Sequence, residues 1–563
     1  MPIEVRHPRL VIGFAIALIV WLALEIKLLK IQVLNSEEYR NLASKQQYHR
    51  IPLTAERGGI FDSKGYQLAL NIEAIDIIAN GRQIKNRDEF IDKASTLGID
   101  KEILKTKLNP QKGYIPLLKS QPPQRESDVR KLKTEGLYVL KSAKRHYPLQ
   151  NIGKHIIGFL NDENKGTGIE ASCDMILRGI DGWRMVRFNG RGEPFSSVGL
   201  EEKLPKPGYN IYLTIDKDIQ TIVEDELAKG VDENKARNGF AIVVKVKTGE
   251  ILAMASYPTI NLEGTEDEDN NWLNRPVNEI FEPGSIFKIF IAAGLLDKEK
   301  ITESTPINCL GGKISIGDYF TVYDCHKMHT VPFREVIVNS SNVGTIQCSK
   351  RLTKEELYEI YKKFGFGQRT GIPLPGEQKG YFIHPDLWSG VTKYSMSIGY
   401  GISVTGLQLV MGASAIANNG RLMAPILVSR IEDADGHVIQ RFNPVVVRQV
   451  VSREATRVLL SIMEDVVKRG TGKKAAIKET TIAGKTSTAK KVEKGGKKYT
   501  TKQYKSAFIG FFPSQCPVYA ILVVIDEPRG HFIFGGDVSA PIFGAMAQKM
   551  LAVRGNIREI IKQ

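Results

Sequence analysis

Cysteine is scarce in this chain and odd in number: Cys173, Cys309, Cys325, Cys348 and Cys516 are the five thiols among 563 residues. That count excludes a small scaffold held by disulfides. Cys309 and Cys325 flank a glycine-bearing segment (Gly311, Gly312, Gly317) with the look of a hairpin, and outside the cytoplasm they could pair. Cys309 with Cys325 and His326 lacks a fourth ligand, so no metal site is expected, and no cofactor motif calls for a bound group. Zinc-finger spacing and RNP-type motifs are also missing. The net charge of +16 therefore asks for an anionic partner, such as acidic lipid or a phosphorylated substrate, without the signature of nucleic-acid binding.

What is present begins with an apolar run. After Arg6 and Arg9, Leu10 to Leu24 carries no polar side chain, and the pattern continues through Ile26, Leu28, Leu29 and Ile31, broken by Glu25, Lys27 and Lys30. Snorkelling end residues extend it to a bilayer's width. No small-x-small cleavage site follows, so the reading is an uncleaved anchor at 10–31 behind a short cytoplasmic tail, 1–9. The arginines ahead of it favour an N-terminus in the cytoplasm. This places a single-pass protein in the cytoplasmic (inner) membrane, with its bulk in the periplasm or outside the cell.

The remainder is too long for one domain, and 42% hydrophobic with 25% charged residues is a folded globular composition. A Pro- and Gly-bearing stretch at Lys203 to Gly208 divides an N-terminal domain, 32–205, from a larger one, 206–563. Asn35 to Gln47 reads as a helix continuing from the anchor. Arg57 to Ala69, with Gly58, Asp62 and Gly65, reads as strand, turn, strand. Residues 82–136 are charged and helical in pattern. Arg145 and Glu170 are an expected ion pair between segments, and His146 an exposed histidine. Beyond the boundary come a strand from Tyr209, a helix from Asp218, and two strands joined at Lys247-Thr248-Gly249. A helical run from Gly399 ends near Asn419-Gly420, a helix stop signal. Strands at Ala507 to Phe512 and Tyr519 to Ile525 and a helix from Pro541 to Leu551 complete an α+β layered domain.

Three short segments carry the chemistry. Glu282-Pro283-Gly284-Ser285-Ile286-Phe287-Lys288 precedes the apolar run Ile289 to Leu296. It reads as a loop entering a buried helix, with the hydroxyl of Ser285 and the amine of Lys288 on one helical face. Val338-Asn339-Ser340-Ser341-Asn342-Val343-Gly344 is a turn on propensity alone. Thr481 to Ala489, containing Lys485-Thr486-Ser487-Thr488, is a strand of small and β-branched residues, followed by a lysine-rich loop (Lys490, Lys491, Lys494, Lys497, Lys498). Ser487 and Lys490 repeat the serine-lysine spacing of the first segment, so spacing alone does not single out Ser285.

Order does. Ser285-x-x-Lys288, Ser340-x-Asn342 and Lys485-Thr486-Ser487, in that sequence, resemble the signature of penicillin-binding proteins and serine β-lactamases. The Arg57 to Ala69 segment, Arg145 to Pro148, Gly166 to Glu170 and the Glu282-Pro283-Gly284 lead-in resemble class B penicillin-binding proteins in particular, and most the cell-division branch. The resemblance runs from the anchor to the last strand. One position departs from it: the third motif normally ends in glycine, where this chain has Ser487. The literal Lys247-Thr248-Gly249 stands at the wrong place in the order.

The resemblance implies an elongated mixed pedestal domain below a transpeptidase domain whose antiparallel sheet lies between helices. Ser285 would attack the penultimate D-alanine of a peptidoglycan stem peptide, with Lys288 as base once burial, the helix dipole and Lys485 lower its pKa. Ser340 would relay the proton and Asn342 hold Lys288 and substrate. Lys485, Thr486, Ser487 and Thr488 would form the substrate-binding strand, with Lys485 and the two threonine hydroxyls on the donor carboxylate, and the N–H groups of Ser285 and Thr488 would form the oxyanion hole. Arg57, Gly58, Asp62, Gly65, Arg145 and Glu170 would be structural. The implied partners are stem peptides, β-lactams, the membrane, and a SEDS-family glycosyltransferase with other division proteins. A β-lactamase, an elongation-branch enzyme and a non-catalytic scaffold are the alternatives.

Overall fold

A computed structural model describes residues 8–40, 48–161, 166–188, 194–195, 201–260, 272–317, 320–492 and 499–555. The chain forms two compact units, Met1–Glu56 with Arg178–Gly208, and Arg57–Leu177 with Tyr209–Gln563.

The first unit contains the apolar N-terminal helix. A helix runs Pro8–Leu29 and continues as a π-helical turn, Lys30–Leu34. Together they are long and apolar enough to cross a membrane, and none of the apolar side chains is covered by protein. The expected helical continuation is seen to Arg40, and 41–47 lies outside the described residues. Strand Tyr48–Leu53 pairs antiparallel with Gly182–Phe188, which also pairs with Pro194–Phe195 and Glu202–Lys203.

The second unit holds two large sheets and, among the described residues, four two-stranded ones. One has seven strands and mixes segments from both sides of residue 205: Ile60–Phe61 lies between Gln67–Ala79 and, in parallel, Asn210–Leu213. Its long strand Gln67–Ala79 also pairs with Leu137–His146 and with Ile115–Gln121. The last of these corrects the helical reading of 82–136. Helices do form at Arg87–Ser95, Lys101–Lys107 and Glu126–Lys131, but Ile115 and Leu117 alternate inward and bury against Phe90, Ile91 and Leu104 in a small separate core.

The residues expected to be structural are found at tight places in this region. Glu170 is fully buried and pairs with Arg57 (2.8 Å) and Arg145 (2.6 Å). Arg57 also reaches Asp174 (2.6 Å) and the Glu170 carbonyl (2.8 Å). A Cβ at Gly58 would stand 1.9 Å from the Tyr209 carbonyl oxygen. The buried carboxylate of Asp62 accepts from the N–H groups of Lys64, Tyr66 and Lys217, closing a turn at Gly65, whose φ is 90°.

The second sheet is the antiparallel one the resemblance implies, ordered Ile251–Tyr257, Asn238–Lys245, Tyr519–Asp526, Tyr499–Phe512, Ala483–Val492. Tyr519–Asp526 is buried along its whole length, because helices cover both faces. Lys217–Glu233 and Ser539–Arg554 pack on one side, and the helices Lys288–Asp297, Gly406–Ala417 and Arg453–Lys468 belong to the core on the other. Ala483–Val492 is left as the edge strand beside the start of Lys288–Asp297.

Candidate active site

Ser285 lies in a 3₁₀ turn, Gly284–Phe287, that feeds directly into the helix Lys288–Asp297. The turn is set from below by aromatic packing: the Phe287 ring lies 4.5 Å from Tyr361 and 4.7 Å from Phe366, centroid to centroid. From above it is set by Gly284, whose φ of 56° belongs to the left-handed region. The serine is half-buried at the turn's surface, and among the described residues its hydroxyl has no hydrogen-bond partner.

One turn on, Lys288 is fully buried. Its ammonium donates to the Ser340 carbonyl (2.6 Å), the Ser340 hydroxyl (3.3 Å) and Asn342 Oδ1 (2.6 Å). Three donors are thus engaged, and Ser285 is not among their acceptors although the two residues are one turn apart. Lys485, also fully buried, donates to the same Ser340 hydroxyl (2.8 Å) and to the Thr486 carbonyl (3.1 Å). The Ser340 oxygen therefore accepts from both cations, and its own proton is left to donate elsewhere. Ser340 is held at φ 58°, an uncommon conformation for a residue with a side chain.

Removal from water disfavours both charges. Burial pushes Lys288 down to about 7, with the nearby Asp324 and Cys325 opposing the shift. Burial, and then the adjacent Lys288, hold Lys485 well below the ordinary lysine range. An amine poised near neutrality, one helical turn from a serine, is what a general base requires.

Asp324 organises the second motif from outside it. Its carboxylate accepts from Ser341 Oγ (2.5 Å) and from the N–H groups of Asn342 (2.5 Å) and Val343 (3.1 Å), at the start of the helix Asn342–Ser349. The negative charge suits that helix end, and the Asn342 amide, anchored to the Tyr323 carbonyl (3.0 Å), turns its oxygen to Lys288. No motif marked Asp324 in the sequence. The neighbouring Cys325 is exposed and Cys309 buried, both as free thiols, so the pairing considered for them is not formed. Cys309 instead faces Ser341 Oγ at 3.7 Å.

On the edge strand, alternation sends Lys485 and Ser487 to the nucleophile side and Thr486 and Thr488 to the other. The Thr486 hydroxyl meets that of Thr471 (2.7 Å), and Thr488 Oγ1 accepts from the Gly535 N–H (2.9 Å). Glu282, which opens the first motif's lead-in, accepts from Gly401 N–H (2.7 Å) and the Tyr499 hydroxyl (3.1 Å). Burial raises its carboxyl pKa, and its second oxygen is buried without a partner among the described residues. Lys494, Lys497 and Lys498 lie outside the described residues.

Hydrogen bonds join Lys288, Ser340, Asn342 and Lys485, and Ser285 stands on the turn that leads into Lys288. The family model of the penicillin-binding protein transpeptidase domain matches residues 239–548, and that of the penicillin-binding protein dimerisation domain matches 52–213. Stage V sporulation protein D of Bacillus subtilis (strain 168) is 31% identical over 97% of this chain and 86% of its own length. This chain is a class B penicillin-binding protein. A second relative, the peptidoglycan D,D-transpeptidase FtsI of Escherichia coli (strain K12), is 31% identical over 88% of this chain and 83% of its own. Among solved structures, penicillin-binding protein 3 of Mycobacterium tuberculosis, complexed with aztreonam, covers 89% of this penicillin-binding protein and 97% of itself at TM-score 0.69 and 27% identity. A peptidoglycan synthetase from Bifidobacterium adolescentis aligns over 90% and 97%, at TM-score 0.73 and 25% identity.

Proposed function

We propose that this protein is a membrane-anchored peptidoglycan D,D-transpeptidase working through a Ser285 acyl-enzyme. The observation that carries the reading is the Ser340 hydroxyl held between two buried lysines, with Ser285 on the adjoining turn. Neutral Lys288 takes the Ser285 proton as the oxygen attacks the carbonyl of the penultimate D-alanine. Ser340, with its proton free, donates to the departing amine of the terminal D-alanine and is replenished from Lys288. Aminolysis by a neighbouring stem peptide runs the same proton path in reverse. The N–H groups of Ser285 and Thr488 stabilise the oxyanion. The donor carboxylate falls to Lys485 and, at the strand's edge, to the hydroxyls of Thr486 and Thr488, which would turn to it from Thr471 and from the Gly535 N–H, and the open edge of Ala483–Val492 lets the peptide lie alongside as an added strand.

In this reading residues 10–31 anchor the chain with its N-terminus in the cytoplasm, 32–205 form the pedestal, and 206–563 the catalytic domain that β-lactams acylate. The resemblance of its motifs to the cell-division branch supports a role in septal wall synthesis, beside a SEDS-family glycosyltransferase engaged through anchor and pedestal. Midcell recruitment of a fluorescent fusion checks the septal role, and uniform sidewall signal speaks for elongation.

Full-length protein in detergent, given uncross-linked glycan strands, tests the chemistry. It should release D-alanine and form cross-linked muropeptides, and Ser285→Ala should do neither. D-Alanine release without cross-links would make it a carboxypeptidase, and no release from the unmutated protein would make it a scaffold.

A further inference from the structure

The peptide unit between Pro283 and Gly284 is gripped at both ends. Its carbonyl accepts a hydrogen bond from Ser487 Oγ at 2.7 Å, and its N–H donates to the Gly399 carbonyl at 3.0 Å. Ser487 is only 3% exposed, so its hydroxyl bonds to this carbonyl without competition from water. The two contacts come from different elements, the edge strand and the Gly399-Tyr400-Gly401 loop. A peptide group held at its oxygen and at its hydrogen cannot rotate about its flanking bonds without breaking one of them.

The next torsions belong to Gly284, and the peptide after that presents the Ser285 N–H. Space around Gly284 is closed by the same serine: a Cβ there would stand 2.6 Å from Ser487 Oγ and 3.1 Å from the Ala489 side chain. On the opposite side, a Cβ at Gly399 would stand 2.1 Å from the Gly284 carbonyl oxygen. Glycine at 487, the residue this motif normally carries, would have no donor to offer.

We propose that Ser487 is a positioning residue for the nucleophile. Its hydroxyl fixes the Pro283–Gly284 peptide, and through it the direction of the Ser285 N–H and the placement of Ser285 Oγ over Lys288. It touches neither substrate nor reacting atoms. Its effect belongs to the chemical step and not to substrate binding, because its hydroxyl is engaged by the Pro283 carbonyl and the peptide it holds leads into the Ser285 N–H of the oxyanion hole. The proposal rests on the transpeptidase reading above.

The test separates the saturating acylation rate constant from the apparent binding constant, using a fluorescent penicillin on full-length Ser487→Ala and Ser487→Gly proteins, with rates taken from the exponential phase so that inactive protein does not count. Loss of one neutral hydrogen bond predicts that both variants acylate roughly 3- to 10-fold more slowly at saturation with binding unchanged. Unmutated rates in both variants would overturn it. So would a normal Ser487→Ala beside a slow Ser487→Gly, since that makes filled space and not the hydroxyl the cause. A change confined to binding would overturn it as well. Failure of the unmutated protein to label at all would instead sink the transpeptidase reading.

Discussion

The acylation rate should climb with pH through neutrality. Lys288 can accept the Ser285 proton only when neutral, and burial brings it down to about 7 in the folded protein. Its neutral fraction is then about one-tenth at pH 6, one-half at pH 7 and nine-tenths at pH 8, so the rate constant rises about tenfold between pH 6 and 8 and levels off above. The structure also says which way the midpoint moves. Asp324 is the leading influence that raises Lys288 against burial. Asp324→Asn keeps an oxygen to accept from the N–H groups of Asn342 and Val343 and removes the charge, so its profile should shift to lower pH. Stopped-flow acylation by a fluorescent penicillin across pH 5.5 to 9 measures both. A flat profile, a rate that falls with rising pH, or a midpoint that moves upward in Asp324→Asn would refute the assignment of Lys288 as base.

Ser340→Ala removes the hydroxyl that both lysines address, and should slow acylation on the order of 100-fold with the fold intact by circular dichroism. Glu170→Gln leaves Arg57 and Arg145 without their shared buried carboxylate. It should destabilise the protein by about 3–5 kcal/mol in urea unfolding, and a loss below about 1 kcal/mol would demote the cluster to a surface pair. Gly399→Ala places a Cβ against the Gly284 carbonyl at a φ of 83°, so it should abolish labelling under conditions where Ser487→Ala still labels.

Much of this site was legible because its residues recur in a fixed order: serine and lysine one turn apart, then Ser340 and Asn342, then Lys485. The strand alternation that puts Ser487 beside the nucleophile could also be read from the period of two. What could not be read was whatever depends on contacts between distant segments. Asp324 sits in an irregular stretch with no motif and matters only because the fold carries it to the end of the helix Asn342–Ser349. Ile115–Gln121 was hidden because its neighbours are charged and helical, and its inward residues find a core only once Gln67–Ala79 is beside it. The Ser285–Lys288 spacing correctly placed both on one turn, but the lysine's donors were claimed by a loop more than 50 residues away.

The central claim is that Ser285 becomes acylated. Incubation of the full-length protein with benzylpenicillin, followed by intact mass measurement and peptide mapping, tests it most directly. The account predicts one added penicilloyl group, carried by the peptide that contains Ser285, and no adduct on Ser285→Ala. An adduct that persists in Ser285→Ala, or one that maps to Ser340 or Ser487, would contradict it.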